Sequence, residues 1–191
     1  MNHLVRPSRL VFLALLLCTG CFTGNVSPAL SDQDRRSVDR ILTLMAQRLN
    51  VMEKVARVKW TEGGAVTDPN RERVLLQSLT QRGKDKGLSP DRVESFFQAQ
   101  MEAGKQIQRA AFEQWKRDHP GPFPGATPLS RLRETIDGIN LEMIEAMSNL
   151  PHDDKKGHVK PYLEHRCREI LVGQWIDDSV RQTALDPLIS R

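Results

Sequence analysis

Cysteine is scarce in this sequence, and the positions of its three copies argue against an internal disulfide. Cys18 and Cys21 lie in an N-terminal segment with the features of an export signal, where their C-x-x-C spacing is no redox motif. Removal of that segment leaves Cys167 as the only thiol, so we expect no disulfide even in a compartment that allows one. Basic neighbours could lower the pKa of Cys167, but the sequence identifies no base beside it, which favours a structural thiol.

Motifs of several common enzyme classes are absent as well. The sequence contains no Gly-rich phosphate loop, no zinc-ligand spacing and no Ser-His-Asp arrangement. Four potential metal ligands lie close together, but two lysines and a glycine interrupt them, which favours a solvated turn. These four residues are His152, Asp153, Asp154 and His158. We therefore expect neither a metal ion nor a cofactor.

The excess of positive charge is small. The formal net charge of +4 falls to +2 when residues 1–29, which hold two arginines and no acids, are removed. The basic character of the chain is therefore partly that of its N-terminal segment. This gives little support to a nucleic-acid partner, which would require a strong basic patch.

The one long apolar run is too short to span a membrane. Arg6 and Arg9 precede an apolar stretch at residues 10–17, and small residues follow it. A permanent transmembrane helix needs about 20 apolar residues. The order basic, apolar, small is typical of a secretory signal. The sequence thus predicts a periplasmic or secreted protein, with a signal peptide at 1–29 and one domain at 30–191.

Two processing sites compete within this segment. Ser27-Pro28-Ala29 presents small residues at the critical positions and would release a chain that begins near Leu30. Residues 17–21 resemble a lipoprotein box with Cys21 as the lipidated residue, although Cys18 is an unusual occupant of its apolar position. We expect membrane anchoring only if Cys21 is lipidated.

The remainder of the chain is predicted to be all α-helical. From Ser31 onward, apolar residues recur at steps of three and four, and no alternating strand pattern or internal repeat is present. Asp68-Pro69 and Ser89-Pro90 are typical helix starts, and residues 119–128 hold four prolines and two glycines, which predicts a crossing loop. Helices are predicted at about 31–60, 68 to 83 or 87, 89–115, 129–149 and 159–171, with a last segment ending near 185.

Charge interrupts the apolar stripe of the first predicted helix. Arg48 and Lys59 are eleven residues apart, close to three helical turns, and share a face with Met52 and Val55. Two cations at the ends of an apolar stretch could hold an anion in a pocket. Taken alone, the pair is better explained by cations that extend from the edge of the stripe to water.

Further polar groups follow at helical spacing. Asp68, Arg71 and Glu72 lie on one turn, which an N-cap and a salt bridge would also explain. Gly104 stands one turn before Gln108, and a glycine inside a helix often marks close approach of another group. An arginine, Arg133, opens the helix after the crossing loop.

The order and spacing of these groups resemble the helical chorismate mutases, in particular their exported branch. The supporting motifs are V-A-x-x-K-W at 55–60, D-x-x-R-E at 68–72 and L-R-x-x-I-D-x-I-N at 132–140. The similarity covers about residues 40–141. It implies the helical, type II chorismate mutase fold, a single all-α domain of about six helices, and an enzyme that rearranges chorismate to prephenate.

The resemblance implies how each end of the substrate would be bound. Chorismate carries two carboxylates. By similarity, Arg48 and Arg133 would bind the side-chain carboxylate, and Arg71 would bind the other end of the dianion. Gly104 would leave space and backbone near a carboxylate; some relatives carry a hydroxyl residue at this position.

The remaining roles concern the reacting bond and the ring. The rearrangement is intramolecular and pericyclic, so it requires no nucleophile, metal or general base. By similarity, Lys59 and Gln108 would donate hydrogen bonds to the ether oxygen, and Asp68 and Glu72 would accept from the ring hydroxyl. Lys59, Gln108 and Arg48 are therefore the predicted catalytic residues, and all act through position and charge.

Two other interpretations remain open at this point. The same fold could serve as a periplasmic module that binds or senses a small anion without turnover, or as a structural adaptor with surface cations. An anion binder needs cations but has no need of a donor pair directed at an ether oxygen. The resemblance also implies a homodimer in which each protomer builds its own site.

Overall fold

The computed structural model describes residues 30–118, 121–151 and 156–190, and six helices account for most of these ranges. They are α1 (Asp32–Glu62), α2 (Pro69–Asp85), α3 (Pro90–Asp118), α4 (Leu129–Ser148), α5 (Lys156–Ile170) and α6 (Asp178–Ile189). Within those ranges the chain forms no β-strand, so the predicted all-α class is confirmed. The predicted signal segment with Cys18 and Cys21 lies outside the described residues, as do His152, Asp153 and Asp154.

The long first helix is closed at both ends by local sequence. Ser31 is its N-cap: the hydroxyl accepts from the Asp34 backbone N–H, and the Asp34 carboxylate accepts from the Ser31 N–H in return. At the other end Gly63 adopts a left-handed conformation with φ 67°, and its N–H bonds to carbonyls of the last turn. These caps fix the two ends of the helix that carries Arg48 and Lys59.

The last two helices are longer than predicted. The structure starts α5 at Lys156 rather than Val159, although Pro161 lies inside it, and continues α6 past Pro187 to Ile189. Proline removes one backbone donor, which argues for a break but does not force one near a helix end. In α6, Ser190 closes the last turn by donating its N–H to the Asp186 carbonyl at 2.9 Å.

The helices share one hydrophobic core. The main cluster of buried side chains draws on all six helices; α1 packs against α3, α4 and α5, while α3 also packs against α2 and α6. Helix α2 is the least buried of the first four, with only Leu79 and Gly83 buried. The central helix α1 therefore packs against α3 and α4, while α2 packs mainly against α3 and less extensively against α4.

A second, aromatic cluster holds the first part of the crossing loop, just after α3. Trp115 is buried, and the Phe123 ring lies 4.6 Å from it, between centroids. Trp60 donates its indole N–H to the Gly121 carbonyl at 2.9 Å. Trp175 is partly buried against the same group. All three tryptophans, predicted as core anchors, thus pack in this cluster, with Trp115 buried and Trp60 and Trp175 partly buried. Among the described helices, none has the length and apolarity required to cross a bilayer.

Candidate active site

Helices α1, α2, α3 and α4 enclose a cavity of about 110 Å³. All of the predicted site residues except Gly104 line it: Arg48, Lys59, Asp68, Arg71, Glu72, Gln108 and Arg133. Apolar walls come from Met52, Val55, Leu75 and Ile136, among others. The four helices thus bring together residues that are far apart in the sequence, from Arg48 to Arg133, a stretch of 86 residues.

Arg48 is the most deeply buried cation of the site, with 4% of its surface exposed. Its Nη1 donates to the Gln100 carbonyl at 2.7 Å, and its Nε donates to Asn140 Oδ1 at 3.1 Å. No carboxylate of the described chain lies within ion-pair distance. Burial lowers the pKa of Arg48 to about 10, and the charge of Asp137 only partly opposes this effect. A buried guanidinium with neutral partners is costly unless an anion joins it.

Lys59 lies three turns further along α1 and is half-buried at the cavity wall. Its Nζ donates to the Val66 carbonyl at 2.7 Å, which leaves two of its three N–H donors for other partners. Burial lowers the pKa of Lys59 below its ordinary value; the charge of Asp68 opposes this shift and that of Arg133 adds to it. The charged form therefore gains from a nearby anion.

The first turn of α2 presents two carboxylates and a guanidinium together. Asp68 is its N-cap and accepts from the Arg71 backbone N–H at 3.2 Å, while Glu72 Oε1 accepts from the Asp68 N–H at 3.3 Å. Arg71 lies 3.9 Å from Asp137, and Arg133 of α4 lies 3.9 Å from Asp68. Both distances are at the limit at which an ion pair forms. Each guanidinium can therefore still bind a ligand.

Gln108 is buried on α3 and faces the cavity across from α1. Its Nε2 donates to the Gly104 carbonyl at 3.1 Å and lies 3.9 Å from Met52 Sδ. An amide nitrogen carries two N–H groups, so one is held by the Gly104 carbonyl and the other is directed at the weak acceptor Met52 Sδ, which also lines the cavity. Its Oε1 is buried and has no hydrogen-bond partner among the described residues.

Gly104 stands behind the wall rather than in it. A Cβ at this position would lie 3.0 Å from Met52 Sδ and 3.7 Å from Arg48 Nη1. The glycine therefore makes room for the Met52 side chain, and its carbonyl orients Gln108. The sequence predicted that another group approaches this glycine closely, and in the structure that group is the Met52 side chain of α1.

Sequence reasoning missed three residues that shape the site. Lys105 lines the cavity, and Gln100 and Asn140 hold Arg48 from α3 and α4. A partial signal existed: Lys105 precedes Gln108 by three residues, and Asn140 follows Arg133 by two turns, so each shares a face with a predicted residue. The distances between helices that bring them to the site are not encoded in that periodicity.

Cys167 takes no part in the site. It is buried on α5, and its Sγ lies 3.2 Å from the Glu164 carbonyl. Burial raises the pKa of the Cys167 thiol, and the opposing charges of Arg168 and Arg181 do not overcome it. The idea that basic neighbours could lower this pKa is therefore wrong, because desolvation of the thiolate outweighs their attraction.

The described residues also include no group of side chains that could hold a metal ion.

The geometry suits a small molecule with negative charge at two places. Cations stand at separate points of an enclosed wall, uncharged and cationic donors lie between them, and two carboxylates can accept from a hydroxyl. The charged groups and donors of such a site are held in fixed positions, and they stabilise the charge of a bound molecule. Their effect is larger than in water because the surroundings are partly buried. Fold and site together define an all-helical protein with a binding cavity for a compact dianion.

Comparison with known proteins identifies the family. The model of the family chorismate mutase type II matches residues 37–109, a range that holds every predicted site residue except Arg133. Secreted chorismate mutase of Mycolicibacterium smegmatis is 30% identical over 126 residues, 65% of this chain and 69% of that protein. The secreted chorismate mutase of Mycobacterium tuberculosis is 28% identical over 145 residues, 74% and 72% of the two chains.

Solved structures agree with the sequence comparison. The crystal structure of chorismate mutase from Burkholderia thailandensis matches with a TM-score of 0.68 at 25% identity, covering 80% of this chain and 98% of that one. The chain belongs to the chorismate mutase family, whose members are isomerases. The predicted family, helical fold and enzyme class are confirmed.

Proposed function

We propose that the cavity between α1, α2, α3 and α4 binds chorismate and rearranges it to prephenate. In this reaction the ether C–O bond breaks while a C–C bond forms within the same molecule, and no proton or group is exchanged with the protein. The observation that carries the assignment is the burial of Arg48 without an acidic partner among the residues that the structure describes. A substrate carboxylate supplies the missing negative charge.

The two carboxylates of the substrate select its reactive shape. We assign the side-chain carboxylate to Arg48 and Arg133 and the other end of the dianion to Arg71, following the resemblance to the family; all three cations line the cavity. Bidentate contacts of guanidinium with carboxylate fix orientation as well as position. Holding both ends restricts the substrate to a compact conformer, which removes much of the entropic cost of reaching the transition state.

Lys59 and Gln108 act on the bond that breaks. Negative charge grows on the ether oxygen as the C–O bond lengthens. Lys59 has donors left after its contact with Val66, and the Gln108 N–H that faces the weak acceptor Met52 Sδ can turn to a stronger one. Fixed donors aimed at developing charge lower the barrier without any proton transfer. Asp68 and Glu72, on the first turn of α2, are assigned to the ring hydroxyl.

A pair of lysines on one helix tests this assignment. Replacing Lys59 by Ala should lower kcat by about 10²–10⁴, as for loss of an oxyanion donor. The matched control is Lys54→Ala, which removes an exposed lysine of α1 that does not line the cavity. The measurement is loss of chorismate absorbance, with prephenate identified by NMR.

Equal rates for the two variants would show that Lys59 takes no part in the reaction. Chorismate binding without turnover by the unmodified protein would favour the anion-binding module instead.

We further propose that the chain is exported to the periplasm or secreted. Support comes from the order of basic, apolar and small residues at 1–29 and from relatives that carry the name secreted chorismate mutase. Release after Ala29 gives a freely soluble enzyme, while lipidation of Cys21 would anchor it to a membrane.

A homodimer is the proposed assembly. Val74 and Leu141 are 57% and 43% exposed, and both line a groove between α2 and α4. Large apolar side chains exposed together favour contact with another surface. Light scattering after size-exclusion chromatography should give twice the mass of the processed chain, and the mass of a single chain would contradict the proposal.

A further inference from the structure

Lys105 occupies a position in the cavity wall that the reaction chemistry leaves without a role. Its side chain is 17% exposed, and its Nζ lies 3.2 Å from Glu72 Oε2 on α2 and 3.0 Å from Glu102 Oε2 on its own helix. Burial alone would lower the pKa of Lys105, but the hydrogen bonds to Glu102 and Glu72 outweigh it and raise the pKa. The ammonium is thus a fixed positive charge between two carboxylates.

Among the described residues, few polar contacts tie the first turn of α2 to other helices, and none of the residues in this turn is buried. The buried residues of this helix, Leu79 and Gly83, lie two to three turns beyond the turn that carries the predicted ligands. The other ion pairs from this turn, Arg71 with Asp137 and Asp68 with Arg133, both measure 3.9 Å. In the described part of the chain, the contact of Lys105 with Glu72 is therefore the shortest ion pair that ties this turn to another helix.

That contact continues through Glu72 to the start of the helix. Lys105 bonds Glu72 Oε2, and Glu72 Oε1 accepts from the backbone N–H of Asp68. Asp68 in turn accepts from the Arg71 N–H. One chain of hydrogen bonds thus fixes the two carboxylates and the backbone of Arg71 on the α2 side of the cavity, and cooperative bonds of this kind restrict each member.

We propose that Lys105 is a positioning residue, which holds the first turn of α2 against α3 through Glu72 and sets the substrate contacts of Asp68, Arg71 and Glu72. This inference rests on the proposed function. Lys105 also balances the charge of Glu72, which would otherwise repel a dianion in the same cavity. Its effect is mainly on substrate binding, because Lys59 and Gln108, the donors to the ether oxygen, lie on α1 and α3 and are bonded to Val66 and Gly104 rather than to this turn.

Kinetics of the full processed enzyme test the proposal. Lys105→Met keeps the length of the side chain and removes its charge, so KM should rise about 10- to 100-fold, the effect of misplacing substrate contacts by about an ångström. The value of kcat should change much less. Lys105→Arg keeps the cation and should restore most of the affinity. The matched control is Arg109→Met, since Arg109 bonds the same Glu102 at 2.8 Å but does not line the cavity.

A double-mutant cycle separates positioning from general packing. If Lys105 acts through Glu72, adding Lys105→Met to a Glu72→Gln variant should change KM by no more than about twofold. A purely structural lysine would cost the same factor in both backgrounds, and that result would overturn the proposal, as would a wild-type KM for Lys105→Met. Thermal unfolding of each variant verifies the fold, and Lys105→Gln replaces Lys105→Met in the cycle if the latter does not fold. Turnover of chorismate by the unmodified enzyme in the same assay tests the proposed function separately.

Discussion

The pKa values of Arg48 and Lys59 are lowered by their surroundings in the protein, and burial is the first cause for both. Each must be positively charged to bind a dianion, and a lowered pKa means that this charge is lost at lower pH than usual. The ordinary lysine value is 10.5. A bound dianion reverses part of the shift, because nearby negative charge favours the ammonium form.

We therefore predict two different alkaline limits for the enzyme. The logarithm of kcat/KM, which reports the free enzyme, should begin to fall at lower pH than that of kcat, which reports the complex. Both should be nearly flat between about pH 5 and 8, where an ordinary lysine does not titrate. The measurement is a pair of pH profiles on the wild-type enzyme. Alkaline limbs that coincide would show that substrate does not sit beside these cations.

The sequence predicted the position of a residue well where the neighbours that matter lie on the same helix. The spacing of Arg48 and Lys59 placed both on one face, and the structure places both at the cavity. Lys105 and Asn140 were not predictable in this way, since their roles depend on which helix packs opposite. Gly104 shows the same limit: its spacing indicated close approach, but only the packed structure identifies Met52 as the neighbour.

Helix boundaries follow local chemistry closely at the start of the chain and less closely at its end. Asp68 caps α2 where the sequence indicates a helix start, and Ser31 and Gly63 close α1 within a few residues of its predicted bounds, 31–60. The predicted bounds of α5 and α6 were wrong by several residues. Local sequence signals a possible break at a proline, whereas packing of α6 against α3 stabilises the helix through it.

Close packing between α2 and α3 yields a prediction about stability. A Cβ at Gly83 would lie 2.5 Å from Val93 Cγ2, and Val93 is fully buried and stiff because it is branched at Cβ. Gly83→Ala should lower the free energy of unfolding by about 1–3 kcal/mol, the cost of overpacking a core. The measurement is chemical denaturation followed by circular dichroism.

A second glycine serves as the control for this experiment. Gly138 lies within α4, is exposed, and has no atom within 4 Å of an added Cβ. Gly138→Ala should therefore raise the stability by up to about 1 kcal/mol through helix propensity alone. Stabilisation of similar size by both substitutions would show that α2 and α3 are not in close contact at Gly83.

For the whole molecule, export is the feature with the simplest test. Mass spectrometry and N-terminal sequencing of protein from the exported fraction should show a chain that begins near Leu30. A lipid-modified Cys21 at the N-terminus would select the alternative processing site. Protein that retains Met1 and stays in the cytoplasm would contradict export.

The whole fold was predictable because its helices are long and strongly periodic, and one core joins all six. The cavity was predictable as a set of residues, through their order along the chain and their resemblance to a known family. Its shape was not, since it depends on how far α2 stands from α3 and α4. Those distances decide which groups reach a substrate and which hold others in position.

The central claim is that catalysis depends on donors fixed at the ether oxygen, and Gln108 tests it most directly. Its amide donates at every ordinary pH, whereas a glutamate at this position can donate only when protonated. The measurement is kcat against pH for the wild type and for Gln108→Glu. The wild-type profile should be flat from about pH 5 to 8, and the variant should be more active in acid and lose activity as its carboxyl ionises. Two profiles of the same shape would mean that Gln108 does not touch the ether oxygen and would contradict this account of the site.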